Sequence, residues 1–154
     1  DVDLGPHTRR LAYYHLLPKS RALLRSAAPS VPRWQSVVVR GAFPVARVLM
    51  RRGMRINDDS ARRSRAKIDE VFKLVDDKLR DRPFLAGDRF SAADLTFAAL
   101  ASPVLFPGEH PHPFAMADLP DALAGVQREL ASTRAGAHAL RMYREHRRVV
   151  VGAR

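Results

Sequence analysis

The sequence predicts an all-α protein, a helical bundle that occupies residues 1–154 as a single domain. Apolar residues recur at three- and four-residue spacing through most of the chain, whereas the period-two alternation of strands is absent. Helix-starting and helix-stopping residues divide that pattern into roughly six segments, and helices without strands bury their apolar stripes against one another. A length of 154 residues suits one domain with its own core.

The elements follow in order. From Asp3 to Arg25, Leu4, Leu11, Tyr14, Leu17 and Leu24 keep helical spacing, and Pro18 is expected to kink or break the helix one turn before its end. Ser30-Val31-Pro32-Arg33 marks a pause. Trp34, Val37, Val38 and Val48 then outline a second helical stretch, with Gly41 and Pro44 expected to disturb it and Trp34 expected to pack inside. Asn57 is placed as an N-cap, and Asp58 and Asp59 as the acidic first turn of a helix running to about Arg80. Its stripe is Ile68, Val71, Phe72, Val75 and Leu79, and Asp69–Lys73 and Asp76–Arg80 are expected as ion pairs on the wet side.

The most specific signal is the run from Gly87 to Leu95. Ser91 and Asp94 have the spacing of a capping box, Phe90 and Leu95 that of a hydrophobic staple, and Gly87 supplies the backbone freedom of the preceding turn. The helix that follows has no charge from Leu95 to Ala101, which predicts burial on all sides. Ser102-Pro103 interrupts the run, and Pro103, Pro107, Gly108, Pro111 and Pro113 punctuate a long loop. Asp118 and Pro120 open a further helix to about Leu130. Thr133 and Gly136 lead to a last helix through His146, followed by a short basic and apolar tail.

The chain has no cysteine, which suits a reducing cytosol, and its formal charge is +11. No apolar run approaches the eighteen residues of a membrane span, so a soluble, cytoplasmic protein with no membrane partner is expected. Residues 1–66 carry a net charge of +10 and residues 67–154 a net charge of +1. Such asymmetry fits an anion-binding half. Arginine outnumbers lysine 23 to 4, however, and is scattered through amphipathic helices with no nucleic-acid-reading motif, which argues against nucleic acid as the partner.

Candidate chemistry is sparse. Glu109-His110-Pro111-His112 has metal-ligand residue types, but a prolyl loop holds them and no helical HExxH spacing aligns them, so no metal is assigned. A Ser and an Asp on one helix without a neighbouring histidine do not suggest acyl transfer, so Ser91 and Asp94 are structural and no catalytic residue is assigned. There is no phosphate-binding Gly-rich loop, nucleophile elbow or carboxylate pair. His7, Arg10, Tyr13 and Tyr14 gather donors and aromatic rings near the start of the first helix.

The run Arg82-Pro83-Phe84-Leu85-Ala86-Gly87 through Ser91-Ala92-Ala93-Asp94-Leu95 resembles the glutathione S-transferase C-terminal domain, whose central helix begins with Gly, three residues, Ser or Thr, two residues and Asp. Gly87, Ser91 and Asp94 match in full. The helix order is similar, and Arg134-Ala135-Gly136 through Arg141-Met142-Tyr143-Arg144 resembles the family's last helix. The resemblance implies the C-terminal helical domain of a transferase that joins glutathione or a related thiol to a small electrophile. The thiol site would belong to a thioredoxin-like N-terminal domain, to which nothing in this chain is similar; the chain starts at Asp1 and reads as a piece of a longer protein. Alone it is expected to be inactive, supplying a domain interface, part of a homodimer surface and, by the place of the first helix in the family, an electrophile pocket with Arg10, Tyr13 and Tyr14. The alternative is a non-enzymatic interaction module whose basic face meets an acidic partner.

Overall fold

The computed structural model describes residues 4–18, 33–111 and 114–146, with the backbone alone for residues 33–41 and 43. Among the described residues are six α-helices and no strand beyond a single bridge between Phe84 and Gly87. The expected Leu24 position, the Ser30–Pro32 pause, the Trp34 side chain, His112 and the C-terminal tail lie outside the described residues.

Helix α1, Leu4–Leu16, buries Leu4, Leu11, Ala12 and Leu16 and ends before Pro18. Helix α2, Arg33–Gly53, runs unbroken through Gly41 and Pro44, which corrects the expected disturbance. Pro44 has no N–H for the carbonyl four residues earlier, yet the flanking turns retain theirs. Among the described residues α2 makes no substantial contact with the other helices, and Val45 and Leu49 are each 65% exposed.

Helix α3, Asp58–Lys78, starts where Asn57 and Ser60 satisfy each other's amides: the Ser60 amide donates to Asn57 Oδ1 at 2.8 Å and the Asn57 amide to Ser60 Oγ at 3.0 Å. Ile68, Phe72 and Val75 are buried, as their stripe predicts, with Val71 and Leu79 packed at the margin. The wet-side pairing differs from expectation. Asp69 pairs with Arg65 at 2.8 Å and Arg80 with Asp77 at 2.8 Å. Asp76 instead accepts the Ala135 amide at 2.5 Å, because the start of a distant helix needs an acceptor there.

Helix α4, Ala92–Leu105, is the centre of the bundle and packs against α1, helix α5, Asp121–Ala131, and helix α6, Arg134–His146. Small Ala98 and Ala101 permit close approach, while Phe97 meets Phe72 edge-on at 5.4 Å. Pro103 cannot donate to the Ala99 carbonyl, and the Ser102 hydroxyl does so at 2.9 Å. Expected burial on all sides is not observed: Ala92, Leu95, Thr96 and Ala99 are exposed, since no described helix covers that face. The staple is likewise open, with Leu95 57% exposed and Phe90 stacked on His146 at 4.1 Å. Beyond a 3-10 turn at Met116–Asp118, Leu119 and Leu123 join Ala12 and Leu16 in a smaller apolar cluster.

Candidate functional site

Two constellations stand out, a groove beside α1 and a polar network buried at the start of α4. The groove has a volume of about 430 Å3 and is lined by Pro6, Arg9, Arg10, Tyr13, Gly53 and Met54. Helical spacing puts residues 6, 9, 10 and 13 on one face of α1, and the turn after α2 closes the other side. Arg10 is anchored there: Nε donates to the Met54 carbonyl at 3.0 Å and Nη1 to Ser64 Oγ at 3.3 Å, while His7 Nδ1 lies 3.0 Å from the same hydroxyl. Among the described residues the Tyr13 hydroxyl has no hydrogen-bond partner, so it is a donor open to a bound molecule.

Arg10 and Tyr13 thus share one groove, whereas Tyr14 does not line it. The Tyr14 hydroxyl donates to Asp58 Oδ1 at 3.0 Å. That hydrogen bond to a carboxylate raises its pKa, making the phenol a poor proton source. Tyr14 therefore ties α1 to the first turn of α3.

The second constellation grows from the predicted helix start. Gly87, at φ +118°, closes a tight turn in which Phe84 and Gly87 exchange two backbone hydrogen bonds of 3.1 Å. The turn aims the Leu85 amide at Asp94 Oδ1, 2.8 Å away. Asp94 Oδ2 accepts the Ser91 amide at 2.9 Å and the Ser91 hydroxyl at 2.7 Å. His138 Nε2 supplies the fourth donor, 2.8 Å from Oδ1. Asp94 is fully buried, and no buried side-chain polar atom among the described residues lacks a partner.

The tautomer of His138 follows from its other nitrogen. Arg141 Nη2, which can only donate, lies 3.2 Å from Nδ1, so Nδ1 accepts and the proton sits on Nε2, facing Asp94. A neutral histidine thus has both ring nitrogens satisfied. Burial pushes the His138 pKa down, and the Arg141 charge adds to this against the opposing pull of Asp94. For Asp94, burial alone would raise the pKa, but its amide, hydroxyl and histidine donors outweigh it and hold the carboxyl below its ordinary value. Arg141 also donates to the Pro83 carbonyl and lies over the Phe84 ring, 5.0 Å from its centroid.

Sequence reasoning placed Gly87, Ser91 and Asp94 but missed His138 and Arg141. The available signal was a lone histidine within the apolar stripe Ala135, Ala139, Met142 and Tyr143 of α6, which calls for a buried polar partner. Among the described residues no group of three or more His, Asp or Glu side chains is arranged to hold a metal ion; Glu109 and His110 are half-buried in the loop after α4. No helix among them is long and apolar enough to cross a membrane.

Residues 58–128 match the family model described as Glutathione S-transferase, C-terminal domain. Neither the curated proteins nor the solved structures compared include a significant match. The matched span runs from the Asn57-capped start of α3 through the Gly87 turn and the Ser91–Asp94 start of α4 into α5. Over residues 58–128 this chain is therefore similar to the glutathione S-transferase C-terminal domain, in agreement with its all-helical fold.

Proposed function

We propose that the chain is the helical half of a cytoplasmic glutathione transferase-like protein, and that the groove beside α1 holds the electrophile. The observation that carries this reading is the convergence of Arg10 and Tyr13 on one groove of about 430 Å3, with Pro6 and Met54 as apolar wall. In conjugation, the thiolate sulfur forms a bond to an electrophilic carbon as the leaving group departs with its electron pair. The thiolate needs a donor beside it, which the family keeps in a thioredoxin-like N-terminal domain. The task of this chain is positioning: Tyr13 offers its free hydroxyl to a polar substituent, and Arg10, locked by Met54 and Ser64, holds the wall in place. The bare, uncharged face of α4 around Leu95 and Ala99 supports docking of a second domain, or of a second copy in a homodimer.

The test is glutathione conjugation to a chloronitroarene by the protein with its thioredoxin-like domain, followed through the absorbance of the product. Tyr13→Ala should raise KM for the arene several-fold and leave KM for glutathione unchanged. Unchanged kinetics for the arene would remove the groove from the reaction, and an inactive parent would remove the transferase reading.

A second reading, an interaction module for an acidic partner, is favoured by α2. Its exposed Val45, Val48 and Leu49 lie beside Arg47, Arg51 and Arg52. Binding carried by those arginines would weaken steeply between low and moderate salt, whereas salt-insensitive binding would argue against it.

A further inference from the structure

A second groove, of about 390 Å3, lies between the end of α3 and α6, and four of its lining side chains are arginines: Arg82, Arg134, Arg141 and Arg144. His138 and Pro83 complete the part that matters here. We infer that this groove binds a small phosphorylated ligand through its phosphate oxygens, independently of the electrophile groove.

The charge is concentrated and uncompensated. Among the described residues, no carboxylate lies within ion-pair distance of Arg82, Arg134 or Arg144. Two nearby acids are committed elsewhere, Asp94 being buried with four donors and Asp76 accepting the Ala135 amide, while Glu145, 4.0 Å from His146, acts on His138 at the groove's edge. Helix α6 supplies no acid of its own to its positive end, and its first turn begins with Arg134. The first amides are capped by Asp76 and Thr133, so a ligand would be read by guanidinium groups and not by the helix end.

Arg141 is fixed in advance. Its Nη2 is held by the Pro83 carbonyl and His138 Nδ1, and its plane lies over Phe84. Nε and Nη1 keep their hydrogens without acceptors among the described residues. The neutral His138 matters because a protonated ring would repel Arg141 from this position. Guanidinium forks match the paired oxygens of phosphate, and several around one small groove favour a dianion over a single carboxylate.

The experiment is calorimetric titration of the 154-residue chain with pyrophosphate and with adenosine diphosphate, at constant ionic strength. Saturable one-site binding is expected, weakened at least tenfold in the exposed double variant Arg134→Gln, Arg144→Gln. A charge-matched control, Arg62→Gln with Arg63→Gln near the other end of α3, should leave the affinity unchanged. Equal affinity for the two ligands would assign recognition to the phosphates alone, and tighter binding of the nucleotide would add its nucleoside to the site. No saturable binding, or equal weakening in both double variants, would overturn the inference, the latter because it reports net charge and not a groove.

Discussion

Asp94 and His138, 44 positions apart in the chain, meet at 2.8 Å in the core, the histidine donating from Nε2 because Arg141 occupies its Nδ1. A helix-capping carboxylate is thereby also the joint between α4 and α6.

This double role sets the cost of losing Asp94. An ordinary exposed cap is worth about 1 kcal/mol, and Asn57→Ala should fall in that range. Asp94→Ala should cost about 3 kcal/mol or more, because it strands the half-buried Leu85 amide and the buried His138 N–H as well as the Ser91 amide. Denaturant unfolding of the two variants beside the parent chain checks this; similar losses would show that the His138 and Leu85 contacts contribute nothing beyond capping.

Acid should destabilise the protein through the same pair. Both groups have folded-state pKa values below their ordinary ones, so the unfolded chain binds more protons and stability rises with pH. The His138 contribution is complete above its ordinary value of 6.5 and declines as pH falls below it; that of Asp94 declines only below 3.8. The denaturation midpoint of the parent should therefore fall between pH 7 and pH 5. His138→Gln keeps a donor for Asp94 but cannot titrate, so its profile should be flatter there, although it is less stable at pH 7. His15, whose pKa burial also lowers, titrates in both proteins and cancels in the comparison. Parallel profiles would show that His138 does not titrate with folding.

At Gly136 the first turn of α6 lies against the backbone at the end of α5. A Cβ built there would lie 1.9 Å from the Leu130 carbonyl oxygen and 2.9 Å from the Ala131 Cα, neither of which can swing aside as a side chain can. Gly136→Ala should therefore destabilise at or beyond the upper end of the roughly 1–3 kcal/mol typical of overpacking. Gly125→Ala, on α5 with nothing within 4 Å of its Cβ, should instead stabilise by about 0.5–1 kcal/mol. Melting temperatures of the two variants should move in opposite directions, and a drop in both would show that open space at Gly125 is not enough.

By itself the sequence determined where helices start and which stripe of each is apolar. Asn57 and Ser60, the Gly87 turn with Ser91 and Asp94, and Thr133 with Gly136 act within a few residues, so their hydrogen bonds can be read from spacing. The stripe of Ile68, Phe72 and Val75 is legible for the same reason, since helical period links position to face. Only the tertiary structure decided which neighbour each face meets. It brought His138 to Asp94 and Asp76 to Ala135, gathered four arginines from separate elements, joined Arg10 and Tyr13 to Met54, and left Leu95 bare. Periodicity states that a face is apolar, not what covers it. Partners distant in sequence are set by helix crossings, which depend on side-chain shape across the whole core.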